Sequence, residues 1–190
     1  MIRAAGDFDF LMVPGRGNSG PDHWMSHWCR TFQNSSRLLQ KEWERPQPAD
    51  WIGSLDAAVS AAPRRLVLLG HSLAVATIVQ WAKEASPAQT AKIAAAFLVA
   101  PTDVGNADPS FELVRPFAPM PLSKLPFPTL VAASRTDPRV AFEKAQEFAA
   151  AWGAELADTG DLGHMGNDAK LGLWPDGLVL LGRLLQMAGV

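Results

Sequence analysis

The chain has 190 residues, of which 48% are hydrophobic and 19% charged, and its formal net charge is -2. That length supports one sizeable core and is short for two ordinary domains, so a single domain over residues 1–190 is expected. The charge balance offers no basic field for nucleic acid or an anionic membrane. No apolar run reaches the roughly 20 residues that cross a bilayer, so a small-molecule partner is expected.

The opening MIRAAGDFDFLMVPG does not read as a secretory leader, because Asp7 and Asp9 interrupt its apolar stretch. The single cysteine, Cys29, cannot close an internal disulfide, and a cytoplasmic location is the expectation. Residues 8–13 form the first apolar run and predict a buried strand. A helix is predicted over 22–33, capped by Asp22, with Cys29 as a half-buried structural thiol on it. SRLLQKEW at 36–43 is a candidate strand, and a helix capped by Asp50 is predicted over 50–61. A strand at 65–70 runs into a helix at 74–85 that Pro87 ends, and a further strand covers 93–100. The segment RPFAPMPLSKLPFP (115–128) carries five prolines and is predicted to be a rigid surface connector, with Phe117 and Met120 as candidates for a pocket wall. A strand at 128–134, a helix at 139–152, the short strand-like AELAD and a last helix at 174–187 complete the chain. Strands alternating with helices predict an α/β class, a three-layer αβα sandwich around a mostly parallel sheet. The seven tryptophans fall mainly on apolar helix faces and read as core.

The strongest chemical signal is RRLVLLGHSLAVATIVQWA, where a strand turns through Gly70-His71-Ser72-Leu73-Ala74 into a helix. A nucleophile elbow needs that context, because the serine occupies a strained turn and its neighbours two positions away must be small. Gly70 and Ala74 meet the size limit, Ala74 replacing the commoner glycine. Serine is a weak nucleophile unless a base takes its proton. Of the four histidines, His71 lies within the elbow with its side chain expected to point away from that of Ser72, and His23 and His27 begin the first helix. His164, in the loop GDLGHMGND, remains as the base. Asp137, in SRTDPRV just past a strand with Pro138 expected to start the next helix, is the candidate acid; Asp103 is held in reserve, and Asp158 and Asp161 read as turn residues. The order Ser72, Asp137, His164 is that of α/β-hydrolase triads. The N–H groups of Leu73 and Arg16, the latter in the loop PGRGN, are the candidate oxyanion donors.

The combination VPGRGNSGPDHWMSHW, GHSLA, SRTDP and GDLGHMGNDAKLGLWPDGLVLL resembles the retinoblastoma-binding-protein-9-like or YdeN-like group of small serine hydrolases over nearly the whole chain. The resemblance implies a compact α/β-hydrolase fold without a large lid domain, no cofactor, and triad motifs that fall on Ser72, Asp137 and His164. The segments DHW and LGLWPDG are more specific to the group than the elbow. The L-x-C-x-E motif is absent, so retinoblastoma binding is not implied. The expected activity is hydrolysis of a small ester, thioester or amide, carboxylesterase-like, with oligomeric state and natural substrate unassigned.

Two other readings remain at this level. Gly15, Gly17 and Gly20 spell G-x-G-x-x-G, with Glu42 at a distance suited to a ribose contact, which would suit a dinucleotide; against it, Pro21 and Asp22 place the helix after the third glycine. An interaction module on a hydrolase scaffold is the non-enzymatic alternative. His23 and His27, four apart, lack a third ligand cluster, so no metal site is expected, although His23 is placed near the mouth of the site.

Overall fold

A computed structural model of the protein describes residues 8–190, so the first seven residues of the stretch read against a secretory leader, Asp7 among them, lie outside the described residues. Six strands form one sheet: β1 (Phe8–Val13), β2 (Ser35–Arg37), β3 (Arg65–His71), β4 (Ile93–Val99), β5 (Thr129–Ala133) and β6 (Glu155–Asp158). Their order is β2-β1-β3-β4-β5-β6, and every neighbouring pair is parallel. Both faces of such a sheet are covered at its centre, so β3, β4 and β5 are buried and largely apolar on both sides, whereas the edge strands β2 and β6 are not.

The period-2 alternation divides those side chains cleanly. Leu11, Leu68, Leu98 and Val131 face α2 (Pro48–Ala61), α3 (Leu73–Glu84) and α5 (Phe142–Trp152), where Leu55, Ile78, Trp81 and Phe148 complete one core. Met12, Leu69, Phe97 and Ala132 face α1 (Trp24–Thr31) and α6 (Pro175–Ala188) in the other. Full burial of each large side chain stabilises the fold by roughly 2 kcal/mol. The two motifs most specific to the resemblance meet here. The Trp24 ring of DHW tilts against Trp174 of LGLWPDG with centroids 5.3 Å apart, and the nearby Trp28 ring stacks on Trp174 at 5.9 Å while its Nε1–H donates to the Leu173 carbonyl at 2.7 Å.

Several local expectations are corrected. The first helix is capped by His23, whose Nδ1 accepts from the Met25 N–H, and not by Asp22. The second begins two residues before Asp50, because Pro48, with φ already near its helical value, occupies the first turn. Only Ser35–Arg37 of the second strand region pairs, with the rest of 36–43 running on as loop. The helix after Ser72 stops at Glu84, and Pro87 opens the short α4 (Pro87–Thr90) behind a Ser86 capping box. Pro138 lies in a turn, and α5 starts at Phe142.

The proline-rich connector contains a 3-10 turn at Arg115–Phe117. Phe117 is fully buried against Trp51, Leu73 and Val114, and Met120 packs onto the same cluster, so neither forms a wall of the cleft described below. Their size and apolarity draw them under the loop instead. No helix among the described residues is long and apolar enough to cross a membrane.

Candidate active site

The sheet reverses its order of addition between β1 and β3, and loops leaving the carboxyl ends of strands around such a point frame a crevice. Ser72 occupies the turn from β3 into α3 with φ 60° and ψ -124°, a backbone conformation that non-glycine residues adopt only when their surroundings hold them there. The surroundings are tight. A Cβ on Gly70 would lie 2.6 Å from Ile78 Cδ1, which is why a strand can pass so close to the helix it feeds. One on Gly15 would lie 2.8 Å from Ser72 Cβ and from the His71 carbonyl oxygen, so the β1 loop approaches the serine only as glycine.

His164 Nε2 lies 2.8 Å from Ser72 Oγ, and His164 Nδ1 lies 2.9 Å from both carboxylate oxygens of Asp137. The Asp137 side chain is 1% exposed and also accepts from the Arg139 N–H at 2.8 Å; that of His164 is 23% exposed. The three residues singled out from the sequence are thus brought together in one hydrogen-bonded line. Asp103 instead accepts from the Gly105 N–H, and Asp158 pairs with Arg135.

The histidine loop is fastened at several points. Ser134 Oγ accepts from the Leu162 N–H at 2.9 Å, Thr136 Oγ1 accepts from the Gly163 N–H at 3.1 Å, and Trp24 Nε1–H donates to the Met165 carbonyl at 3.0 Å. His71, expected to turn away from the serine, reaches this loop, its Nε2–H donating to the His164 carbonyl at 2.9 Å. A carbonyl can only accept, so that contact sets the tautomer of His71. Burial, then the neighbouring His23 and His164, hold the His71 pKa well below its ordinary value. Burial first, then Arg37 and His164, lower that of His23 to about 4. Both rings are neutral supports.

The open space beside Ser72 is a cleft of about 680 Å³, walled by Arg16, Asn18, Thr136, Leu162, Asn167 and Asp168 together with His23. Nothing among the described residues accepts a hydrogen bond from the N–H of Arg16 or Leu73. The Arg16 side chain turns outward to an ion pair with Glu44 at 3.3 Å. Nothing in VAPTDVG marks Thr102, yet its hydroxyl lies 3.1 Å from Ser72 Oγ. Its place directly past a strand end is the one cue a sequence offers.

The dinucleotide reading is corrected by the same geometry. Helix α1 starts at Trp24, beyond Gly20, whose Cβ position is closed by Asn167 at 3.0 Å, and Glu42 is tied to the N–H of Glu44 in the second loop. The glycine that should tighten strand against helix here faces another loop. No group of three or more metal-ligating side chains occurs among the described residues, where His23 caps α1 and His27 lies beside Arg30.

A serine hydrolase family model matches residues 10–183. The chain is 31% identical to a YdeN-like hydrolase of Pectobacterium atrosepticum, covering 96% of this chain and 92% of that one with a TM-score of 0.83. The ydeN gene product of B. subtilis shares the fold at 17% identity, 95% and 99% coverage and a TM-score of 0.76. Thermogutta terrifontis esterase 2 does so at 18% identity, 96% and 84% coverage and a TM-score of 0.69. No curated protein matches the chain in sequence. With nearly its whole length matched by that family and an α/β-hydrolase architecture behind it, the chain belongs to the serine hydrolases, as a YdeN-like enzyme.

Proposed function

We propose that this hydrolase, acting as a single domain, cleaves a small ester, thioester or amide through an acyl-enzyme on Ser72. The observation that carries the reading is the unbroken line from Ser72 Oγ through His164 to Asp137. His164 Nδ1–H donates to the carboxylate, so Nε2 presents a lone pair and takes the serine proton as Oγ attacks the acyl carbon. The carbonyl oxygen becomes an oxyanion, which the free N–H groups of Leu73 and Arg16 are assigned to receive. The imidazolium returns its proton to the leaving group, and a water then repeats the sequence on the acyl-enzyme. No cofactor enters any step.

The walls of the cleft mix amides, a hydroxyl and a carboxylate with Pro138, Leu162 and Ala169, a lining that suits a small acyl substrate with both polar and apolar parts. The single thiol, Cys29, is half-buried and free, in keeping with a cytoplasmic location as part of the same proposal. The test is turnover of p-nitrophenyl acetate by Ser72→Ala. If the three groups act as a unit, kcat falls by up to roughly a million-fold; a variant that keeps the wild-type rate refutes the acyl-enzyme.

A further inference from the structure

Thr102 lies three residues past the end of β4, after Ala100, whose φ is 50°, and Pro101. It is 2% exposed, and its hydroxyl has one hydrogen-bond partner among the described residues, Ser72 Oγ at 3.1 Å. A buried hydroxyl needs a partner, and this one is given the reacting atom.

A count of protons fixes the direction. The Asp137 carboxylate accepts from the N–H of Arg139 and from His164 Nδ1–H, which in the neutral imidazole that serves as base leaves Nε2 as an acceptor. Ser72 has one proton and donates it to Nε2 across 2.8 Å. Its oxygen can then only accept from Thr102, whose own proton is otherwise uncommitted.

We propose that Thr102 is a catalytic residue of this hydrolase: its hydroxyl donates to Ser72 Oγ, aiming that oxygen before attack and stabilising the charge it carries while its bond to the acyl carbon forms or breaks. The proposal rests on the acyl-enzyme reading above. In acylation the Oγ–C bond forms, the serine proton passes to His164 Nε2, and the leaving group departs with it. In deacylation a water gives a proton to His164 as its oxygen bonds to the acyl carbon, the C–Oγ bond breaks, the proton returns to Oγ, and the acid departs. The Thr102 proton stays on Thr102 throughout. An ester oxygen accepts hydrogen bonds poorly, so the contact is stronger around both transition states than in the acyl-enzyme between them.

Thr102→Val keeps the shape and removes the donor; Thr102→Ser keeps the donor and removes a methyl. The valine variant is expected to lose about ten- to a hundredfold in kcat for p-nitrophenyl acetate, and a similar factor in the rate of fluorophosphonate labelling, with KM little changed. The serine variant is expected to recover most of both rates, and the pH midpoint of kcat/KM, which reports the imidazole, to stay in place. Should valine prevent folding, Thr102→Ala carries the same comparison with serine. Equal rates in the valine or alanine variant and the wild type overturn the role of Thr102 alone, as does a serine variant as slow as valine. A wild type that the probe does not label removes the acyl-enzyme reading itself.

Discussion

The two banks of the cleft are held by different physics. On the serine bank, β3 and α3 press together through Gly70 and Ile78, Leu73 and Ala74 are fully buried, and the Ser72 N–H donates to the Val99 carbonyl at 3.0 Å. Close packing sets the position of Ser72, and it does so independently of pH. On the histidine bank, Leu162, Gly163 and His164 are only partly buried, and Gly160, Gly163 and Met165 carry positive φ. Hydroxyls, an indole and the His71 ring hold that loop. One side is therefore expected to fail by losing stability, the other by losing alignment.

The largest break in that contrast is Asp137→Asn. It is expected to lower kcat by on the order of ten-thousand-fold by presenting the wrong imidazole tautomer, with the melting transition moved far less than the rate. Retained turnover would show that the Asp137 carboxylate is not needed to orient the imidazole. On the opposite bank, Gly70→Ala introduces a methyl 2.6 Å from Ile78 Cδ1 and is expected to cost about 1–3 kcal/mol in urea unfolding. Its rate per folded molecule should stay within a few-fold of the wild type; a catalytic collapse without loss of stability would erase the distinction. His71→Phe keeps a ring under the loop and removes the donor to the His164 carbonyl. Its kcat is expected to fall about three- to tenfold at unchanged KM, as for one hydrogen bond.

Acid sharpens the comparison further. His23, its pKa lowered to about 4, and His71, held well below 6.5, stay neutral in the folded protein, whereas the unfolded chain protonates both near 6.5. The unfolded state then binds more protons below pH 6.5, so the stability these rings contribute is complete above that value and is lost as pH falls toward 4. The share of His23 alone is about 3 kcal/mol. Urea midpoints at pH 7 and pH 4.5 measure the loss, and His71→Phe should flatten the slope; a wild-type midpoint that does not move would show that the rings are not held neutral.

The same contrast explains what the sequence reveals. The serine bank is legible because strand, tight turn and helix follow one another in RRLVLLGHSLAVATIVQWA, and packing at such a turn restricts residue size at known offsets. Asp137 and His164 are legible through chain order and through motifs that end on strand carboxyl ends. The cap of α1 is not, because His23 competes with Asp22 for the same N–H groups and only the path of the chain decides. Thr102 and the reach of His71 to the histidine loop are contacts across 30 and 93 residues, which no periodicity encodes. Phe117 in a proline-rich loop reads equally as pocket wall or as core until its neighbours Trp51 and Val114 are in place.

Peptide mapping after treatment with a fluorophosphonate tests the central claim most directly, because the probe needs an activated serine and leaves a permanent mark on it. One adduct is expected, on the peptide carrying Ser72, and its formation should be strongly slowed in His164→Ala. Native protein that stays unmodified, or that carries the adduct elsewhere while Ser72 remains free, contradicts the account.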